Sequence, residues 1–256
     1  MDGSLHPGGE MGRRAVNAWT AEPLEVFLTV DLEPDCPPYL WTWRGVTEGM
    51  PRLLDLFARA GIPVTFFTTG QTAALYPACI ARLVADGHEL ACHGYSHRSF
   101  RTMGWREAQE EIASTNDILR RFASVTSFRA PYLAFPEDFL ELLVGQGFTV
   151  DASRALYKPM EPPATCAGAP ARLSASVTSS VLRLPAPVRD RWLGRLRSPV
   201  TLFVHPWEFV DLTRSPIRLD CRFRTGEPAL ACLGAVINLF KTRGAAFKLV
   251  REFAGQ

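Results

Sequence analysis

The chain has 256 residues, 47% of them hydrophobic and 21% charged, with a formal net charge of +2. That length fits one α/β domain with a sizeable core, and near-neutrality leaves no electrostatic footprint for nucleic acid. No apolar run approaches the roughly 18 residues of a transmembrane helix, so no membrane span is expected.

Residues 1–23 are glycine-rich and polar and lack the apolar stretch of a signal peptide. They read as a disordered lead-in to a single domain over 24–256. The apolar run 24–31 predicts a buried strand. Residues 48–60 carry Met50, Leu53, Leu54, Phe57 and Ala58 at helical spacing and stop at Gly61. A second strand is predicted over 63–69, then a helix over 77–85 opened by Pro77 and ended by Gly87. A third strand over 89–93 and a long amphipathic helix over 105–122 follow. Next come a short strand over 127–131, a helix over 136–145 and a strand over 148–153. The stretch 157–180, rich in Pro, Ala and Ser, reads as a loop excursion. Strands over 181–184 and 200–205, a helix over 228–243 and a closing strand over 246–253 complete the pattern. Strands alternating with helices predict βαβ units and a parallel sheet or barrel.

His93 and His97 are four residues apart, the spacing that puts two imidazoles on one side of a helical turn, close enough to share an ion. The upstream carboxylates Asp31, Glu33 and Asp35 offer the third ligand of an open catalytic site. Position strengthens the signal. Asp31 and Glu33, His93 and His97, Arg129, Asp151 and His205 each fall at or just beyond the C-terminal end of a predicted strand, the edge where parallel α/β folds do chemistry. Plainer readings stay open for several of them. Arg129 also suits a structural ion pair, Asp151 a turn cap before Ser153, and His205 a satisfied buried histidine. Trp207 suits either a packed wall or a stacking surface for sugar, and Glu208 a wall residue. Six cysteines without CxxC spacing read as free thiols, with Cys36 and Cys92, beside the motifs, as candidate stray ligands.

Five motifs now stand in order. They are Thr29-Val30-Asp31-Leu32-Glu33, His93-Gly94-Tyr95-Ser96-His97, Phe128-Arg129-Ala130-Pro131-Tyr132, Asp151-Ala152-Ser153 and Phe203-Val204-His205-Pro206-Trp207-Glu208. Together, over about 24–253, the set resembles the polysaccharide deacetylase family, carbohydrate esterase family four. The resemblance implies a distorted, incomplete (β/α)7 barrel with its active site at the C-terminal ends of the strands. It also implies a hydrolase that removes an N-acetyl group from an aminosugar, releasing acetate and a free amine. On that basis Glu33, His93 and His97 would hold one divalent metal ion, with Asp35 the competing carboxylate. Zinc is the default, and iron, nickel or cobalt suits the same ligands. Such an ion lowers the pKa of water in its open position and polarises the amide carbonyl.

The same resemblance makes Asp31 the base, held in place by Arg129. The backbone N–H of Tyr132, after Pro131, would help stabilise the oxyanion. His205 would protonate the leaving amine, with Asp151 orienting that imidazole. The chain departs from the usual pattern twice. Leu32 separates two carboxylates that usually adjoin, and Leu133 stands where glycine is usual. The spaced form is similar to a branch with cytosolic peptidoglycan-deacetylase-like proteins and deformylases of lipid-linked aminosugars.

Arg183, Arg189, Arg191, Arg195 and Arg197 lie among Val188, Trp192, Leu193 and Leu196. That stretch fits a solvated helix face or a surface for an anionic membrane. The expected substrate is thus an N-acetylated or N-formylated aminosugar, including one linked to polyprenyl phosphate at the inner leaflet. The expected location is the cytoplasm, extending to the periphery of the inner membrane surface. An amidase for non-sugar bonds and a catalytically inert carbohydrate-binding relative are the competing readings. The full ligand set, with Asp31, Arg129 and His205, counts against both.

Overall fold

The computed structural model describes residues 23–159 and 166–253; apart from Pro23, the expected lead-in lies outside the described residues. The strands are β1 (Glu25–Leu32), β2 (Thr65–Thr68), β3 (Glu89–Cys92), β4 (Ser127–Phe128), β5 (Val150–Ala155), β6 (Ala171–Ala175), β7 (Val200–Val204) and β8 (Ala246–Phe247). Between and after them run the helices α1 (Met50–Ala60), α2 (Gly70–Leu75), α3 (Pro77–Ala85), α4 (Trp105–Leu119), α5 (Leu140–Gly145), α6 (Ala186–Leu193), α7 (Leu219–Arg222) and α8 (Glu227–Thr242). All strand pairs are parallel, in the order β6-β5-β4-β3-β2-β1-β7. Short β8 takes Glu25 and Val26 of β1, below the point where β2 joins at Thr29.

The sheet curls into a barrel with one seam, between β6 and β7. There Ser176 N–H donates to Thr201 O at 2.9 Å, and Thr201 N–H donates to the Ser176 hydroxyl at 3.0 Å. Strand β1 shows why the sheet closes. Val26, Leu28, Val30 and Leu32 pack in one cluster with Leu53 and Phe57 of α1, whereas Phe27 joins Phe67, Ala91, Val150, Ala152 and Leu173. Successive strand side chains point to opposite faces, so one set meets the helices and the other fills the barrel. Burial on both faces is what makes β1 a near-continuous apolar run. Each fully buried Phe or Leu here is worth about 1.5–3 kcal/mol.

The inward parity continues upward through Thr29, Asp31 and Glu33 on and after β1, His93 after β3, Arg129 after β4, and Phe203 and His205 on and after β7. At the opposite end, Glu89 opens β3 and is 1% exposed. It accepts from the Thr65 hydroxyl (2.7 Å), the Ser127 hydroxyl (2.6 Å) and Arg251 N–H (3.0 Å). One carboxylate thereby ties β2, β3 and β4 to the closing turn Val250–Glu252.

Several expectations need correction. Within the expected 157–180 loop lies strand β6, five residues too short and too alanine-rich to show periodicity, recruited by pairing with β5. The expected strand over 181–184 is a 3₁₀ turn, Ser179–Arg183, and the closing strand stops at Phe247. The strand over 127–131 ends at Phe128 because Pro131 opens a 3₁₀ turn, Pro131–Leu133. Residues 93–97 form no helical turn. Gly94 and His97 both take positive φ (71° and 57°), which a right-handed helix excludes.

Candidate metal centre

Glu33 directly follows β1 and His93 directly follows β3, and both are buried with His97. Glu33 Oε2 lies 2.6 Å from His97 Nε2 and 3.3 Å from His93 Nε2. One ligand atom from each of the three lies within 4.8 Å of the others. His93 Nδ1 sits 2.7 Å from the Arg129 carbonyl. A carbonyl only accepts, so Nδ1 carries the proton, and the Nε2 of a neutral ring then turns a lone pair toward a carboxylate. Two buried acceptors facing each other are a mismatch that a cation resolves, and this donor set suits a divalent ion. Burial alone would raise the Glu33 carboxyl. The neighbouring imidazoles, His97 and His205 foremost, instead hold it well below the usual carboxylate range.

The histidine loop is built from both sides. Glu111 of α4 accepts from Tyr95 N–H (2.8 Å), Ser96 N–H (3.0 Å) and the Ser96 hydroxyl (2.6 Å). Gly70 N–H donates to Gly94 O at 3.0 Å, and a Cβ on Gly70 would lie 2.4 Å from the Tyr95 ring. Only glycine allows that approach.

Beneath the three ligands lies Arg129, wholly buried. Its Nη1 donates to Asp31 Oδ1 (2.6 Å) and the Thr29 hydroxyl (2.7 Å), its Nε donates to Ala152 O (3.2 Å), and its guanidinium lies 4.1 Å from the Phe67 ring centroid. Asp31 is thus fixed by a guanidinium that is itself gripped on several sides. On the β7 side, His205 Nδ1 lies 2.7 Å from Glu208 Oε1, and its Nε2 is 3.8 Å from Glu33 Oε1. Buried Arg183 forms an ion pair with Glu208, Nε to Oε2 at 2.9 Å. Burial would lower the His205 imidazole, but the Glu33 and Glu208 carboxylates push it up to about 9. At neutral pH it is an imidazolium, a proton donor.

Asp31, Glu33, His93, His97, Arg183 and His205 line a cavity of ≈ 370 Å³, with Tyr132 and Tyr157 in its wall. Cys36, His97, Tyr132 and Leu133 also line it, all with positive φ (45°, 57°, 61° and 49°). Non-glycine residues rarely adopt that backbone, and such strain gathers where function demands a particular side-chain aim.

The polysaccharide deacetylase family model matches residues 20–150, just over half of the chain. The chain belongs to the polysaccharide deacetylase family. It is 35% identical over 125 residues to a chitooligosaccharide deacetylase of Sinorhizobium fredii, covering 48% of this chain and 53% of that protein. It is 30% identical over 128 residues to a peptidoglycan-N-acetylglucosamine deacetylase of Bacillus cereus, covering 49% and 42%. The chain therefore spans about half the length of the curated relatives it matches. Among solved structures it superposes on a peptidoglycan N-acetylglucosamine deacetylase with a TM-score of 0.63 at 22% identity, covering 92% of this chain and 90% of that one. A family 4 pseudoenzyme from Bacillus anthracis gives the same TM-score at 15% identity, covering 90% and 65%. The barrel is thus the fold of the family, and the fold by itself does not distinguish an active member from an inactive one.

The match to the family model ends at residue 150, where β5 begins, and so stops short of His205 and Glu208. Geometry places them. Asp151, expected to orient His205, does not reach it. With Val150 and Ala152 facing inward, Asp151 faces outward, where it meets Arg172 (3.0 Å) and the Ser153 hydroxyl (2.5 Å). Glu208 holds the imidazole instead, aimed by a short turn, Pro206–Phe209, that brings a residue three positions on back to His205. Asp35 is no ligand, since Thr42, Arg44 N–H and Gly45 N–H occupy its carboxylate. Cys36 and Cys92 stand outside the convergent set. Trp207 is 5% exposed and stacks on His205 (4.9 Å between centroids, 20° between planes), so it backs the imidazole and is no sugar platform. Pro131 is buried at the foot of the turn that presents Tyr132. Of the basic stretch, Arg183 and Arg189 are buried, whereas Arg191, Arg195 and Arg197 are exposed beside exposed Val188 and Trp192. No helix among the described residues is long and apolar enough to cross a membrane.

Proposed function

We propose that the chain, as a single catalytic domain over 24–256, is a divalent-metal-dependent hydrolase that removes the N-acetyl group from an aminosugar. The observation that carries the reading is the convergence of Glu33, His93 and His97 on one point, with Asp31 and His205 on the neighbouring strand ends. An ion held by those three residues, zinc by its ligand types, would acidify water and polarise the amide carbonyl. Asp31, fixed by Arg129, takes the water proton. The backbone N–H of Tyr132, which sits in a left-handed conformation, would stabilise the oxyanion. His205 gives its Nε2 proton to the departing nitrogen, while Glu208 keeps Nδ1 and the ring plane fixed. The C–N bond breaks, and acetate and a free amine leave. Unpaired thiols at all six cysteines support a reducing compartment such as the cytoplasm.

The test is acetate release from N-acetylglucosamine oligomers by zinc-loaded protein, with His97→Ala beside it. Zinc at about one ion per chain and acetate formation, both lost in the variant, are the expected result. Stoichiometric zinc without acetate release from any N-acetylated or N-formylated aminosugar would overturn the reading.

A further inference from the structure

Cys36 and Cys221 have no part in that chemistry, yet both line the same cavity and belong to one apolar cluster with Trp207, Val210, Leu212 and Ile217. Both side chains thus share one small pocket of apolar wall, between the turn after Glu33 and the segment that carries Cys221. Neither position is loose. Cys36 sits at φ 45° in a turn whose Asp35 carboxylate is fully capped, and its carbonyl accepts from Tyr39 and Leu40 N–H. Cys221 lies on α7, where buried Arg183 donates to the carbonyls of Asp220 (2.8 Å), Cys221 (3.0 Å) and Phe223 (2.5 Å). The pair is therefore set in place by rigid backbone on both sides. Cys36 is 2% exposed, while Cys221 is partly open to the cavity. The outer thiol meets a soluble oxidant first, and the inner one waits behind it.

We propose that Cys221 and Cys36 are an oxidant-responsive thiol pair in the wall of the cavity, with Cys221 the attacked sulfur and Cys36 the resolving one. The Cys221 thiolate attacks hydrogen peroxide, taking one oxygen as a sulfenic acid and releasing water after proton transfer. The Cys36 thiol then displaces that oxygen as a second water, forming the S–S bond. Two thiols are oxidised and one peroxide is reduced, so the electrons balance. The environment of the two sulfurs agrees with this division. The neighbouring Cys36 thiol, with Arg218 and His205 nearby, holds the Cys221 thiol below its usual value against its burial. Burial pushes Cys79 up and Cys92 up to about 12. A partly exposed thiolate beside a resolving thiol is the arrangement that oxidises reversibly. The bridge ties the turn after Glu33 to α7 across the cavity wall, so turnover falls on oxidation and returns on reduction.

Zinc-loaded protein treated with a small excess of hydrogen peroxide, alkylated and digested without reductant tests this by mass spectrometry. The expected product is one Cys36–Cys221 linked peptide pair, two hydrogens lighter than its parts and released by dithiothreitol. Cys36→Ser should leave a Cys221 sulfenic acid that dimedone traps. Cys221→Ser should slow oxidation of Cys36 by roughly tenfold or more. Both thiols alkylated after peroxide, or Cys221 joined to another cysteine, would overturn the proposal. Since the readout is mass, it stands apart from whether the protein releases acetate.

Discussion

Two glutamates lie buried at opposite ends of this barrel, and their surroundings differ in kind. Glu89, at the N-terminal end, is surrounded by donors: two hydroxyls and a backbone N–H, all within 3.0 Å. Its charge is answered, and its role is to tie strands together. Glu33, at the C-terminal end, faces two imidazole nitrogens, one of which has its proton committed elsewhere by the Arg129 carbonyl. Both carboxylates are equally hidden from water, so burial alone does not mark a functional site. What marks it is a buried set of ligand atoms that converge on one point and suit a cation.

That contrast predicts opposite consequences for the same substitution. Glu33→Gln should weaken zinc binding by more than about a hundredfold, the upper range for losing a mere outer-shell partner, while the barrel stays folded. Glu89→Gln should leave zinc binding intact and lower stability by about 1–3 kcal/mol, because an amide cannot accept from all three donors. Chelator competition reads the first and urea unfolding of the metal-free protein the second. A Glu89→Gln protein that folds but no longer holds zinc would break the comparison.

Asp31 sharpens it further, being a third carboxylate one layer below Glu33 but paired with a guanidinium. Asp31→Asn should retain zinc and lose about a hundredfold or more in turnover, the range for a missing general base. Elemental analysis beside acetate release separates the two. Loss of zinc in this variant would make Asp31 a ligand and reverse the division of labour.

Much of this is legible in the sequence alone. The apolar run of β1, the glycine stop at Gly61 and polar residues at strand ends located the barrel and the ligand trio, because each follows from local periodicity or capping. The spacing Asp31-Leu32-Glu33 was also readable, since residues two apart on a strand share a face and Leu32 goes to the helices. The same parity rule would have removed Asp151, which alternates with inward Val150 and Ala152. Glu208 and Arg183 were not legible. A buried ion pair between a turn and a distant 3₁₀ segment leaves no periodic trace, and a lone arginine in a basic stretch looks solvated. Strand β6 was hidden for a related reason, its existence depending on β5 and the Ser176 seam and not on its own residues.

The ion pair that the sequence hid also sets the pH range of the acid. His205 stands at about 9 because Glu33 and Glu208 outweigh its burial. Removing negative charge from Glu208 favours the neutral imidazole, so the shift is downward. Glu208→Gln keeps an acceptor for Nδ1 but carries no charge. The alkaline limb of its kcat/KM profile should therefore move to lower pH by about one unit or more, with the plateau below it little changed. If Glu208 only positions the ring, the limb stays where it is and Gln restores full activity at every pH. If the whole profile falls without moving, the group that titrates is not His205, and the proton for the leaving amine comes from elsewhere in the cavity.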